Sequence, residues 1–172
     1  MSSRDLTEVP GSNAGNVAGA TKVAEVDPQT EVEVTVRVRP QAPPPSDKEV
    51  FQLNTQPLEQ RKFLSRDEFA SAYGADPVDM QSVSDFARAN GLVVQATDPA
   101  NRTLLLSGTA ENMAMAFHVD FGEYEVRGER YRGIAGPAQL PSSLSEIVES
   151  VVGFANRPYA RRPGSADPSS AD

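Results

Sequence analysis

The chain has 172 residues, enough for one domain around a single core, and 38% of them are hydrophobic. A formal charge of -8 sets it against phosphate backbones and anionic lipid surfaces, so nucleic acid and membrane are not expected partners. It has no cysteine and one histidine, which excludes disulfides, thiolate chemistry and a multi-histidine metal site.

Residues 1–30 carry no apolar period and are rich in Gly, Ala, Asn and Asp, so they read as a disordered or loosely attached segment. The opening Met1 to Leu6 lacks the apolar region of a secretory signal peptide. From Glu31 to Arg39 four valines alternate with polar residues, the period-two pattern of a strand with one buried face. Pro40 stops it, Pro43-Pro44-Pro45 extends the connection, and Lys48 to Lys62 is open between short helix and loop.

Ser65 and Glu68 form a capping-box pattern, with Leu64 and Phe69 at the staple positions and Phe69 and Tyr73 on one helix face. Gly74 ends that helix. Asp76-Pro77 opens the next, which carries Met80, Val83, Phe86 and Ala87 and stops at Asn90-Gly91. Leu92 to Ala96 and Arg102 to Ser107 read as strands joined by the turn Asp98-Pro99-Ala100-Asn101. Thr109 caps a helix bearing Met113, Ala116 and Phe117, and Val119 to Glu125 is a strand that Arg127-Gly128-Glu129 turns back through Tyr131. Leu144, Ile147, Val148, Val151 and Phe154 recur at helical spacing and predict a final helix opened by Pro141 and stopped at Gly153. This order predicts an α+β fold, a ferredoxin-like split β-α-β antiparallel sheet with helices on one face and flexible termini. Residues 31–155 form the domain and residues 156–172 a flexible linker.

No constellation of catalytic groups emerges. Asp67-Glu68 suits a helix start, and Glu31 and Glu33 suit the solvent face of a strand. His118 reads as a helix C-terminal cap, and Asp120 on the following strand points away from it. In Ser107-Gly108-Thr109-Ala110, alanine stands where a nucleophilic serine would be needed. Gly133 and Gly136 run into Pro137, which forbids a phosphate-binding helix start. Phe69, Tyr73, Phe86, Phe117, Phe121, Tyr124 and Tyr131 sit in periodic segments and are expected in the core.

Several runs resemble the activation domain of the pro-kumamolisins, the sedolisin or serine-carboxyl peptidases. They include Leu64 to Ala70 with Tyr73-Gly74-Ala75, Gly91 to Val94, Arg102 to Thr109, Tyr131-Arg132-Gly133 with Gly136-Pro137, and Ile147 to Phe154 with Asn156-Arg157-Pro158. The resemblance runs from Glu31 to Pro158. It implies an exported, acid-acting serine peptidase precursor in which this region assists folding, covers the substrate cleft and is removed by autocatalytic cleavage. The expected partner is the cognate sedolisin-type protease domain, absent from this chain together with its Ser, Glu and Asp. No cofactor is expected here, since the calcium the family implies belongs to that domain. The cleavage region implied is Asn156, Arg157, Pro158, Tyr159, Ala160, Arg161, Arg162 and Pro163, continuing into Gly164-Ser165 where relatives carry His and an aromatic. The alternatives are a stand-alone protein-binding or protease-inhibitor module, and an enzyme centred on His118.

Overall fold

The computed structural model describes residues 5–12, 18–43, 45–57, 59 and 64–156. Its strands are β1 (Leu6–Glu8), β2 (Thr21–Glu25), β3 (Glu31–Val38), β4 (Val93–Asp98), β5 (Thr103–Thr109), β6 (Asp120–Val126), β7 (Glu129–Ala135), β8 (Gln139–Pro141) and β9 (Val148–Val152). Its helices are α1 (Asp47–Thr55), α2 (Arg66–Tyr73), α3 (Pro77–Ala89), α4 (Ala110–Phe117) and α5 (Ser142–Ser145).

The main sheet has the order β4-β5-β3-β9, every neighbour antiparallel. Strands β3 and β4 are joined through α3 with β5 between them, which is the expected split β-α-β arrangement of an α+β, ferredoxin-like fold. The valine alternation explains its centre. Val32, Val34, Val36 and Val38 are each at most 1% exposed, while Glu31, Glu33 and Arg37 face water. Leu104 and Leu106 of β5 extend the buried face.

Helices α3 and α4 pack on that inner face through Met80, Val83, Ala87, Met113, Ala116 and Phe117. Both start as the sequence predicts. The Asp76 carboxylate accepts from the Val78 N–H at 2.8 Å with Pro77 at the first helical position, and the Thr109 hydroxyl accepts from the Asn112 N–H at 3.2 Å. Arg39, just past β3, donates from Nε and Nη2 to the two oxygens of buried Asp79, at 2.7 and 3.3 Å, tying the strand end to α3.

Between α4 and β9 the chain inserts the β6–β7 hairpin, which the early strand β2 joins to make a second sheet of order β2-β6-β7. Arg127 and Gly128 both take positive φ (51° and 81°), the two-residue turn that matches the twist of the β6–β7 hairpin. Phe121 and Ile134 carry this insertion into the common core. An aromatic row runs through it, from Phe86 to Phe117 (5.9 Å between ring centroids), Phe117 to Phe154 (5.4 Å) and Phe154 to Phe121 (6.1 Å).

The structure departs from the sequence reading in three places. First, residues expected to be loose form β1 and β2. Val9 is 1% exposed, its N–H donates to the Ala138 carbonyl at 2.8 Å, and the Ala138 N–H donates to the Ser12 hydroxyl at 2.8 Å. These strands pair with β8 and β6, more than 90 residues away, so no local pattern announces them. Second, the predicted last helix is only the short α5 followed by β9. Ser150 opposes Arg37 and Val148 opposes Val38, leaving Glu149 as an extra bulged residue, so buried Val148 and Val151 stand three apart in a strand. Third, Phe69 is exposed, and Tyr73 and Tyr124 are half-buried. The ambiguous stretch after Pro45 holds α1, and its residues 58 and 60–62 lie outside those described.

Phe117 is buried at the junction of three elements and touches both Phe86 and Phe154. Phe117→Ala is expected to cost about 3–5 kcal/mol, read as a lower urea midpoint at unchanged slope.

Candidate functional site

Among the described residues, the main sheet is covered by helices on its inner face only. The outer face is formed by the opposite set of residues, with Glu33 beside Ser107, Thr35 beside Leu105 and Val152, Arg37 beside Thr103 and Ser150, and Val93 beside Ser107. It mixes small polar groups with apolar side chains left in water, of which Val93 is 55% and Val152 47% exposed. Gln95 Nε2 donates to the Ser107 hydroxyl at 2.7 Å. Such a mixed, flat surface suits a protein partner better than a small ligand, which would want an enclosed pocket.

At one end this face runs into a groove of about 280 Å³. One wall is aromatic and prolyl, from Phe69, Tyr73 and Pro40, and the other is charged, from Arg37, Arg102 and Glu149. The bulge in β9 places Glu149 between the two guanidinium groups, 2.9 Å from Arg102 Nη1 and 3.7 Å from Arg37 Nε. Arg102 is positioned by the β4–β5 turn. There the Asp98 carboxylate accepts from the Asn101 N–H and Nδ2 at 3.0 and 2.6 Å, holding its own carboxyl below the usual range, and Arg102 follows at φ 61°.

The aromatic wall belongs to an arm that buries almost nothing. Helix α2 has no buried residue, and every described side chain of α1 is exposed, including Phe51 at 68%. Helices of nine and eight residues are below the roughly 12–15 needed to persist alone in water. Each begins with a full capping box. The Ser46 N–H and hydroxyl both donate to Glu49 Oε2 at 2.8 Å, and the Ser65 N–H donates to Glu68 Oε2 at 2.8 Å. The Phe69 and Tyr73 rings pack along α2 with centroids 5.0 Å apart and planes tilted by 46°. Together they hold helical shape while keeping apolar side chains free for a partner.

Of the cleavage region read from the sequence, Asn156 is bonded to β7, and Arg157, Pro158, Tyr159, Ala160, Arg161, Arg162 and Pro163 lie outside the described residues. His118 is an exposed helix C-cap in the left-handed region (φ 51°), and Asp120 pairs with Lys22 at 3.4 Å. Ser107 is held by Gln95, with no general base beside it in the bonds described. Among the described residues no three His, Asp or Glu side chains converge as a metal site, and no helix is long and apolar enough to cross a membrane.

Among the described residues, the open sheet face and the exposed apolar arm offer a surface on which another protein could rest. The family model for the pro-kumamolisin activation domain matches residues 18–157. The chain belongs to the pro-kumamolisin activation domain family. It is similar to kumamolisin from Bacillus sp. (strain MN-32), 33% identical over 59% of this chain and 18% of that protein. It is similar to sedolisin from Pseudomonas sp. (strain 101), 33% identical over 55% and 16% respectively. The tripeptidyl-peptidase sed5 of Aspergillus fumigatus is 26% identical over 92% of this chain and 30% of its own length. The chain thus spans less than a third of the length of each of these relatives.

The capping boxes carry a pH dependence. Glu49 is held below its usual carboxylate value first by the Ser46 hydroxyl and then by the Ser46 N–H, and Glu68 first by the Ser65 N–H and then by the Ser65 hydroxyl. A depressed folded-state pKa adds stability that is full above the unfolded value, 4.5 here, and lost as pH falls through the folded one. Amide protection in α1 and α2 is therefore expected to drop, relative to α3, as pH falls below 4.5. Glu49→Gln and Glu68→Gln, which take away the titrating carboxylate, should each remove that dependence from its own helix, as hydrogen exchange will show.

Proposed function

We propose that this chain is the propeptide of a secreted sedolisin-type serine peptidase, acting as its folding assistant and its inhibitor until the linker is cut autocatalytically in acid. The family match over residues 18–157 carries this reading. The peptidase domain supplies the catalytic serine and the calcium site, and the chain supplies a surface that binds only the folded form of that domain, stabilising it by linkage.

The outer face of the main sheet is the contact. Four strands about 4.8 Å apart, with about 3.3 Å per residue, offer about 20 Å by 20 Å. That is roughly half of the ~800 Å² each side gives to a stable complex. The α1–α2 arm, with Phe51 68% and Phe69 54% exposed, supplies much of the remainder. The chain's acidic surplus supports acid release. Carboxylates that gain basic partners in the complex have a lowered pKa there, so their contribution holds at neutral pH and fades on acidification.

The test is inhibition of the separately produced peptidase domain of the same precursor by this chain. Inhibition should be stronger at neutral than at acid pH, and equal inhibition constants at both would reject acid release. Val93→Asp and Val152→Asp should each weaken inhibition about tenfold or more, with unchanged circular dichroism. Full inhibition by both variants would move the contact elsewhere.

A further inference from the structure

Among the described residues, the chain is fastened to the folded body directly after β9. Beyond Val152 it turns at Gly153, φ 113°, where a Cβ would lie 2.6 Å from the Glu33 carbonyl oxygen and only glycine fits. Phe154 then enters the core between Phe117 and Phe121. Two residues on, the Asn156 N–H donates to the Arg132 carbonyl at 3.1 Å, and Asn156 Oδ1 accepts from the Arg132 N–H at 2.6 Å. The Arg132 side chain reaches back, its Nε–H donating to the Phe154 carbonyl at 3.0 Å.

Strand β7 is the outer strand of its sheet, so the N–H and C=O of Arg132 point away from β6. Asn156 answers both, its side-chain oxygen standing where a neighbouring strand would present a carbonyl. A peptidase needs its substrate extended with free backbone groups. Residues 154–156 are not free, since the Phe154 carbonyl and the Asn156 N–H are engaged and the Phe154 ring is 2% exposed.

We propose that the Asn156–Arg132 clasp is the boundary stop of this propeptide, confining cleavage to bonds after Asn156 and shielding the folded body from proteolysis. Asn156 acts as a positioning residue for the cut. The proposal rests on the propeptide reading, but the clasp can be tested without it.

The full chain is digested with a small amount of proteinase K, and the surviving fragment is sized by intact mass. Its C-terminus is expected at or after Asn156. Asn156→Ala should move that end upstream, into 153–155, and speed Arg132 amide exchange about tenfold or more. Asn156→Asp, which keeps an acceptor oxygen, should restore both. A role in general stability alone would raise cleavage along the whole chain and leave the end point in place, which would overturn the proposal. So would an Asn156→Ala chain with the wild-type end point and Arg132 exchange. If Asn156→Ala does not fold, the wild-type chain decides. Arg132 must exchange more slowly than exposed Arg130, whose N–H points the same way by strand alternation, and equal rates overturn the clasp. A clasp that passes, in a precursor whose own peptidase never cuts after Asn156, would instead refute the propeptide reading.

Discussion

The architecture depends on one strand. β3 is paired on both sides, to β5 and β9, and sends all four of its valines into the core. Because side chains alternate, a slip of one residue would exchange Val32, Val34, Val36 and Val38 for Glu31, Glu33, Thr35 and Arg37. That exchange would bury charge under α3 and α4, so the register of the whole sheet follows from this strand. The outer face inherits its character from the same alternation. It is the complement of the valine set, polar enough to rest in water and apolar enough at Val93 and Val152 to accept a partner.

The second sheet gives the end of the domain its footing. Early residues of the chain are bound to late ones, β1 to β8 and β2 to β6, with the Ser142 N–H donating to the Asp5 carbonyl at 2.9 Å. The β6–β7 hairpin then presents an outer edge that receives Asn156. Core, edge and exit are linked through Phe154, whose ring joins the aromatic row while its carbonyl meets Arg132.

Features written in neighbouring residues were legible in the sequence. The Ser65–Glu68 capping box, the Asp76-Pro77 helix start, the turn at Asp98 and the valine alternation each need only a few adjacent positions to declare themselves. Features that depend on distant partners were not. The strands Leu6–Glu8 and Thr21–Glu25 have every residue exposed and take their shape from ladders formed with later strands. The segment from Val148 misled because a bulge gives a strand the apolar spacing of a helix. Exposure of Phe69 was hidden for a related reason. Its staple and aromatic pairing are local, but whether anything covers the ring is decided by tertiary structure. Asn156 stood in the region singled out from the sequence, yet nothing near it names the backbone of Arg132 as its partner.

The extra residue in β9 has a consequence for how this family of sequences can vary. Glu149 changes the parity of the strand, so that Val148 and Val151 both reach the interior and the acid itself is left between Arg37 and Arg102. Deleting one residue there would straighten the ladder but strip the two arginines of their shared counter-ion. An insertion would rotate Val151 outward and pull Phe154 out of its seat. Interior and groove are thus written by the same residue, and neither can drift without the other.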